Sequence, residues 1–521
     1  MPPYLEVMTT TATTTTAPTN PDSRRWLGLT AVLAATLMDL LDSTVVNIAA
    51  PSIHRSLGGS TAALQWFAAA YTLALAAGLL VGGRLGDMYG RRRMLLGAAV
   101  AFTAASVACA FAWSPESLIG ARAVQGLLAA MMVPQTFGLI RELFPGKEMS
   151  KAFALFGPAI GLSTILGPVV AGVLVNANLF GTGWRSIFLI NLLLGAYTIV
   201  VGRRVLPDSA PSAPGTRLDV LGALLGGAGM TMLIYPLIEG RESGWPAWCF
   251  ALMAGSVPMF ALFVLRQRRL SAPGRAGSPL IDLGVFRNRS YTSGLVFILA
   301  FFGVVVGFSL AFGLFLQLGL GYSAMHASLT STSMAAGAFV GSALSGTVGA
   351  RLGRRILHLG LAVMGLGTIG FLLVLDHAGA GVTGWDMSAP LVVYGLGMGA
   401  IFVPLFDLIL GDVRMDQLGS ASGVLECVQQ FGAALGVAVL GTVFFNLFGA
   451  HALAAPAPAV HAAKLVAEIA LGLTTLAFLL VFFLPRQAQH GHGDVEPAAQ
   501  DADAEAEAEA AQDELMVVGS V

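Results

Sequence analysis

The sequence predicts an all-α protein that crosses a membrane many times. Of its 521 residues, 56% are hydrophobic and only 11% are charged, and the mean hydropathy is +0.77. Apolar runs recur along the whole chain at about the twenty residues that a helix needs to cross a bilayer. The formal net charge of -1 indicates neither an acidic nor a basic partner, so we expect the lipid bilayer and no nucleic acid around this chain.

Fourteen transmembrane helices are predicted, each from one such apolar run. The first run follows the pair Arg24 and Arg25 and precedes Pro51. The predicted ranges are 26–49, 61–83, 94–113, 116–139, 150–175, 186–206, 218–238, 247–266, 291–317, 324–348, 355–375, 387–410, 420–447 and 463–484.

The basic residues support an even number of spans. When alternate loops are assigned to one side, the other side receives only Arg55, Arg185, Arg241 and Lys464. Because cytoplasmic loops carry the excess of arginine and lysine, both termini are predicted to lie in the cytoplasm of a cell with a multi-pass protein in its plasma membrane.

The chain contains an internal repeat that predicts two related halves. Residues 83–92, GRLGDMYGRR, and 346–355, GTVGARLGRR, share glycines and arginines at matching places. Duplicated helix pairs are typical of transporters whose site lies between two halves. The predicted divisions are a disordered lead-in at 1–23, a six-helix half at 24–206, two inserted helices at 207–266, a cytoplasmic loop at 267–290, a second six-helix half at 291–485 and a disordered acidic tail at 486–521.

Two carboxylates interrupt the first span. Asp39 and Asp42 are three residues apart, so they share one helical face. A carboxylate near the middle of a membrane helix costs about 2.5 to 3.5 kcal/mol on insertion scales. A proton or cation site is the usual reason for tolerating that cost.

Arg122 and Glu426 are the other buried charges that stand out. Arg122 lies in span 4 at a depth similar to that of Asp42, so we expect the two to pair, either for proton coupling or as a purely structural ion pair. Glu426 in span 13 is followed one turn later by Gln429 and Gln430. Its carboxyl suits a group that takes up and releases protons or binds a cationic substrate, and contact with water at a helix end is the alternative.

Several motifs together resemble one family. The tract GRLGDMYGRR is similar to the loop signature of the major facilitator superfamily, and the chain resembles the fourteen-span drug/proton antiporter branch, which contains multidrug and antibiotic-resistance exporters. The other matching residues are LDSTVVN at 41–47 with Pro51, Gln65, Trp66, Tyr71, Arg122, Gln125, Gly126, Gly167, Pro168, Gly172, Trp184, Arg185 and Asn191.

The resemblance implies a major facilitator fold and roles for individual residues. It implies proton coupling by Arg122, and the buried charges of the sequence extend that role to Asp42, Asp39 and Glu426. Gating falls to Gly83, Asp87, Gly90, Arg91 and Arg92, where glycines allow close approach of helices and the charges form a lock. The antiporter helix carries Gly157, Pro158, Gly167, Pro168 and Gly172. Substrate binding is assigned to Asp39, Glu426, Gln429, Trp66 and Tyr71. Met88 and Ala350 depart from the family pattern in the two signature copies, and Ala171 departs from it in span 5.

These observations predict a proton-coupled exporter of small amphipathic or cationic drugs, working by alternating access and as a monomer. A proton-coupled metabolite symporter on the same fold and a non-transporting membrane sensor or scaffold are the alternatives. No loop is long enough for a catalytic domain, and GxxxxGK[ST] is absent, so we expect neither an enzyme nor ATP-driven transport. His490 and His492 lack the partners of a metal site. We therefore expect no metal and no cofactor beyond the proton motive force.

Overall fold

Helices make up the structure, a computed structural model. It describes residues 21–144, 163, 167, 169–178, 181–208, 211, 218–240, 242–271, 279–281, 283–410, 413, 418–448 and 456–485. Within these residues there is no β-strand.

The helices follow one another with short connections. They are α1 (Pro21–Leu57), α2 (Thr61–Tyr89), α3 (Arg91–Ala110), α4 (Pro115–Leu143), α5 (169–177 among the described residues), α6 (Ser186–Val205), α7 (Val220–Glu239), α8 (Ala247–Leu270), α9 (Arg289–Leu314), α10 (Ala324–Leu352), α11 (Arg355–Ala378), α12 (Gly384–Leu410), α13 (Leu418–Phe448) and α14 (Pro456–Leu480). Single turns at Gly183–Arg185, Leu283–Arg287, Phe315–Gly319, Gly379–Gly381 and Val481–Phe483 join or extend them.

Each of these helices overlaps one predicted span. In the part of the chain that the structure describes, 12 of them are long and apolar enough to cross a membrane. The two others are α5, of which only a short stretch is described, and α10, whose many serine, threonine and glycine residues lower its hydropathy. The all-helical membrane class is therefore confirmed, whereas the count of fourteen spans is supported for twelve.

Several boundaries differ from the prediction, and two of these differences fall at the motifs. Helix α1 does not stop at Pro51 but continues to Leu57 with the proline inside it. The signature at 83–92 is not a loop, because α2 runs to Tyr89 and α3 begins at Arg91. Only Gly90 separates them, with a φ of 91° that favours glycine.

The same packing pattern occurs in both halves. In the first half, α4 packs on α2 and α3, and α6 packs on α1 and α3; in the second, α12 packs on α10 and α11, and α14 packs on α9 and α11. Arginines at the starts of α3 and α11 also bind the ends of α6 and α14. Arg92 Nη2 donates to Arg203 O at 2.6 Å, and Arg354 Nη1 donates to Phe482 O and Leu484 O at 3.0 Å each.

The two halves meet along α2 and α13, and the inserted pair packs against that junction. Helix α7 contacts both α2 and α13, while α8 contacts α7. Thr442 Oγ1 of α13 donates to Leu237 O of α7 at 2.8 Å. At the start of α7, Asp219 caps the helix and pairs with Arg266 Nε of α8 at 2.6 Å. The pair is thus a hairpin attached to both halves.

Candidate functional site

An ion pair lies inside the first half, away from water. Arg122 Nη1 of α4 donates to Asp42 Oδ2 of α1, and both side chains are completely buried. The other carboxylate oxygen, Asp42 Oδ1, accepts from Gln125 Nε2 at 2.9 Å and from Asn191 Nδ2 at 2.7 Å. The predicted pairing of Arg122 with Asp42 is therefore present, and donors from α4 and α6 complete it.

The guanidinium of Arg122 is held on its other sides by α2 and α4. Its Nε donates to Phe67 O at 3.1 Å, and its Nη1 also donates to Gln125 Oε1 at 2.8 Å. The Tyr71 ring lies 4.2 Å from the guanidinium carbon, which is within the range of a cation–π contact. Within the described residues, Arg122 Nη2 has no hydrogen-bond partner.

A second layer of polar groups orients the amides that bind Asp42. Ser106 Oγ of α3 accepts from Gln125 Nε2 at 2.8 Å and from Asn191 Nδ2 at 3.1 Å, and it donates to Phe102 O. Burial of two charges is costly unless they are paired and hydrogen-bonded. The four helices α1, α3, α4 and α6 together provide that compensation, so the pair is built into this half of the protein.

The carboxyl of Asp39 lies one turn from Asp42, outside this network. It accepts a hydrogen bond from Tyr71 Oη and is almost fully buried. Glu426 of α13 is half-buried and near enough to Asp39 for their charges to interact. Gln430, one turn further along α13, interacts with the Glu426 carboxyl. Two carboxyls from opposite halves therefore lie near enough for their charges to interact.

The structure separates the residues that were assigned to substrate binding. Asp39, Glu426 and half-buried Gln429 lie at the junction of the halves. Tyr71 is fully buried and bonded to Asp39, so it offers no surface to a substrate. Trp66 faces the inserted pair instead of the junction, since its Nε1 donates to Glu239 Oε1 of α7 at 2.7 Å. These contacts do not bring Trp66 together with Glu426 and Gln429, and the assignments of Trp66 and Tyr71 as substrate contacts stay predictions.

The charges of the signature form contacts within the first half. Asp87 Oδ1 and Arg91 Nη2 are 3.5 Å apart, and Arg91 Nε is 4.0 Å from Glu142 Oε1 at the end of α4. Arg92 is not part of this group, because it pairs with Asp208 beyond α6. These contacts therefore connect the ends of α2 and α4 with the start of α3.

The glycines of the signature differ in how closely their neighbours approach. A methyl group on Gly86 would lie 1.9 Å from Gln135 Oε1, and one on Gly82 would lie 1.9 Å from Ala130 O. At Gly83 the nearest atom, Pro134 Cβ, is 4.0 Å away. The prediction that Gly83 allows a close helix approach is therefore wrong. Gly82 and Gly86 allow the close approach instead, because they lie on the face of α2 that packs against α4.

Two residues of the predicted antiporter helix contact other helices closely. A methyl group on Gly167 would lie 2.2 Å from Thr44 Oγ1 of α1. One on Gly172 would lie 2.5 Å from Ser328 Oγ of α10, in the other half. Gly157, Pro158 and Pro168 lie outside the described residues.

Three residues around the ion pair were not assigned a role from the sequence. Gln125 and Asn191 belong to the matching motifs, but the motifs do not state that both amides bind Asp42. The sequence did not indicate a functional role for Ser106, because a serine inside a membrane helix commonly donates to its own backbone. All three share one sequence feature: each is a polar side chain at the depth of Asp42 on a neighbouring helix.

Two helical halves with buried charges inside one of them and carboxyls between them define a membrane transporter. The family model of the Major Facilitator Superfamily matches residues 32–437, and the chain belongs to that family. A relative from Streptomyces coelicolor, "Probable actinorhodin transporter", is 50% identical over 83% of this chain and 75% of its own length. The "Tetracenomycin C resistance and export protein" of Streptomyces glaucescens is 32% identical over 82% of this chain and 77% of its own length.

The fold comparison agrees with the family. A crystal structure of tetrameric PepTSo2 superimposes with a TM-score of 0.61, covering 88% of this chain and 97% of that chain at 14% identity. At that identity the likeness concerns the fold alone. The predictions of a major facilitator fold and of a drug exporter of this superfamily are confirmed by these comparisons.

Proposed function

We propose that the protein exports a small amphipathic or cationic compound of the drug or antibiotic class in exchange for protons. The observation that carries this proposal is the buried Asp42–Arg122 pair, with Asp39 and Glu426 of opposite halves near enough for their charges to interact. The energy comes from the proton motive force, and no residue acts as a catalyst of covalent chemistry.

Competition between protons and the substrate couples the two fluxes. Two carboxyls in a weakly solvated space repel each other when both are ionised, and either a proton or an organic cation relieves that repulsion. Asp39 and Glu426 therefore bind the drug when the site is open to the cytoplasm. They bind protons when the site is open to the outside. Gln429 supplies a polar contact next to Glu426.

Alternating access follows from the division into halves. Helices α2 and α13 slide or rock against each other, and Asp42 and Arg122 move with the first half. Protonation of Asp42 would remove one charge of the pair and leave Arg122 in need of another partner. That change favours a different arrangement of α1 against α4, which opens the site toward one side and then the other.

The orientation places the arginine-rich ends of the helices in the cytoplasm, with both termini on that side. One chain contains both halves and all the residues of the site, so we propose a functional monomer in the plasma membrane. The substrate class is taken from the named relatives, a "Probable actinorhodin transporter" and a "Tetracenomycin C resistance and export protein". Both names describe transport of a small organic compound, and the second describes its export.

Proton release from acid-loaded inverted vesicles tests the proposal. Tetraphenylphosphonium serves as the permanent cation and actinorhodin as the second probe, and a pH-sensitive dye reports the lumen. We expect each transported compound to make the lumen more alkaline, and Asp42→Asn to abolish the response. Asp219→Asn is the matched control, because Asp219 is also a buried carboxylate paired with an arginine but lies in the inserted pair.

Other outcomes identify the alternatives. Acidification of the lumen on addition of a compound would indicate symport. Binding of tetraphenylphosphonium with no proton or drug flux in the folded wild-type protein would indicate a sensor and would contradict the proposal.

A further inference from the structure

Tyr71 contacts two charged groups of the site with two different parts of its side chain. Its hydroxyl donates to Asp39 Oδ1, and its ring face lies 4.2 Å from the guanidinium carbon of Arg122. The side chain is fully buried. Within the described residues Asp39 and Arg122 form no ion pair with each other, and Tyr71 makes a direct contact with each of them.

We infer that Tyr71 is a positioning residue that transmits the protonation state of Asp39 to the Arg122–Asp42 ion pair. The inference rests on the proposed proton antiport and assigns to Tyr71 a role other than substrate binding.

The hydroxyl responds to the charge on Asp39. An ionised carboxylate accepts a short, charge-assisted hydrogen bond, whereas a neutral carboxylic acid accepts a weaker one. A phenol that donates to a carboxylate also carries more electron density in its ring, because hydrogen bonds in a weakly polar interior polarise their partners. When a proton neutralises Asp39, the ring of Tyr71 therefore attracts the Arg122 guanidinium less.

One nitrogen of the guanidinium is available for a new hydrogen bond when that contact changes. Its Nη2 lacks a hydrogen-bond partner among the described residues, and its Nε is attached to Phe67 O, one turn before Tyr71 on the same helix. Arg122 thus touches α2 twice, through a carbonyl and through a ring. A weaker ring contact loosens α2 from α4 next to the ion pair.

Helix α2 carries this change to the other half. It packs along α13, where Cys427 Sγ donates to Ala76 O at 3.1 Å, one and a half turns beyond Tyr71. The charged groups near the Tyr71 side chain are Asp39 and Asp42 of α1 and Arg122 of α4, and Glu426 of α13 is near enough to Asp39 for their charges to interact. Tyr71 therefore contacts both Asp39 and the cation of the ion pair, on a helix that also packs along the second half.

Tyr71→Phe tests the hydroxyl while it preserves the ring over Arg122. In inverted vesicles we expect drug-driven proton release to fall about tenfold or more, with drug affinity changed less than about threefold. We also expect the pH profile of proton release in Tyr71→Phe to match that of Asp39→Asn, and the double variant to be no slower than the slower single variant. Each substitution removes the dependence of the Tyr71 hydrogen bond on the charge of Asp39, one by removing the hydroxyl and the other by removing the charge. Tyr71→Leu, which also removes the ring, should be slower still.

Tyr291→Phe is the matched control. Tyr291 is equally buried, but its hydroxyl donates to Ala421 O at 2.8 Å in the second half, so its loss should leave the pH profile unchanged. A wild-type profile in Tyr71→Phe, or additive effects of Tyr71→Phe and Asp39→Asn, would overturn the inference. A weaker drug affinity with an unchanged pH profile would also overturn it, in favour of substrate contact. Failure of the wild-type protein to exchange drug for protons would instead overturn the proposed function.

Discussion

Asp42 and Arg122 show how single residues make a charged site possible inside a membrane protein. Asp42 accepts from Arg122, Gln125 and Asn191, and Ser106 accepts from the two amides. A buried ion pair often contributes little net stability, because desolvation offsets the attraction between the charges. The arrangement therefore points to function as the reason for its presence.

Stability and transport should respond differently to loss of this pair. Asp42→Asn leaves the Arg122 cation buried without a counter-charge, so we expect a loss of about 3 to 5 kcal/mol of stability together with loss of transport. Asp42→Asn combined with Arg122→Gln removes both charges and should recover most of the stability but no proton coupling. Thermal unfolding in detergent and proton release from vesicles measure the two effects. Proton-coupled transport by the double variant would contradict this assignment.

Helix α2 contacts the ion pair, helix α4 and the inserted pair through different residues. It carries Phe67 and Tyr71 next to Arg122, the tightly packed Gly82 and Gly86 on its α4 face, and Trp66 on the side of the inserted pair. Three neighbours, α4, α7 and α13, pack against different faces of it. Any movement of α2 therefore changes the ion pair and the junction of the halves together.

Two glycines of the signature should differ sharply on substitution. Gly86→Ala places a methyl group against Gln135, whose Nε2 is fixed by a 2.8 Å hydrogen bond to Gly82 O, so we expect α2 and α4 to separate. An overpacked contact of this kind costs about 1 to 3 kcal/mol, and drug export should fall severalfold. Gly83→Ala is the control, because its methyl group meets nothing closer than 4.0 Å. Equal effects of the two substitutions on melting temperature and export would show that the contact with Gln135 is unimportant.

The two halves share their helix packing but not their chemistry. In the first half, α1, α3, α4 and α6 surround the polar network of Asp42. In the second half the corresponding helices α9, α11 and α12 enclose rings: Phe308 and Phe312 pack against Phe371, and Phe308 lies 5.0 Å from Tyr394. The ion pair thus belongs to one half only, and Glu426 is what the second half contributes to the charged site.

A cross-link between the halves should stop the cycle. Helices α2 and α13 approach closely at Gln65 and Gly441, where a Cβ atom on Gly441 would lie 3.2 Å from Gln65 Cγ, a separation that suits a disulfide. We expect Gln65→Cys with Gly441→Cys, in a chain whose three natural cysteines are alanine, to lose export on oxidation and regain it on reduction. Each single cysteine variant is the control. Full export by the oxidised protein would mean that the halves do not move apart at this end.

The amino-acid sequence alone indicated the membrane class, the position of nearly every helix, the relation of the two halves and the acids that belong to the site. These properties depend on single segments or single residues, because a bilayer requires long apolar helices and makes each buried charge costly wherever it lies. Asp39, Asp42, Arg122 and Glu426 were recognised for that reason.

The contacts between side chains become known from the folded structure. It places Arg122 against Asp42 and the ring of Tyr71, turns Trp66 toward Glu239, and gives close helix contact to Gly86 and not to Gly83. Contacts of this kind depend on the rotation of each helix about its axis and on which helices are neighbours. The apolar pattern of a membrane helix leaves both undetermined, since lipid and protein interior are similarly apolar.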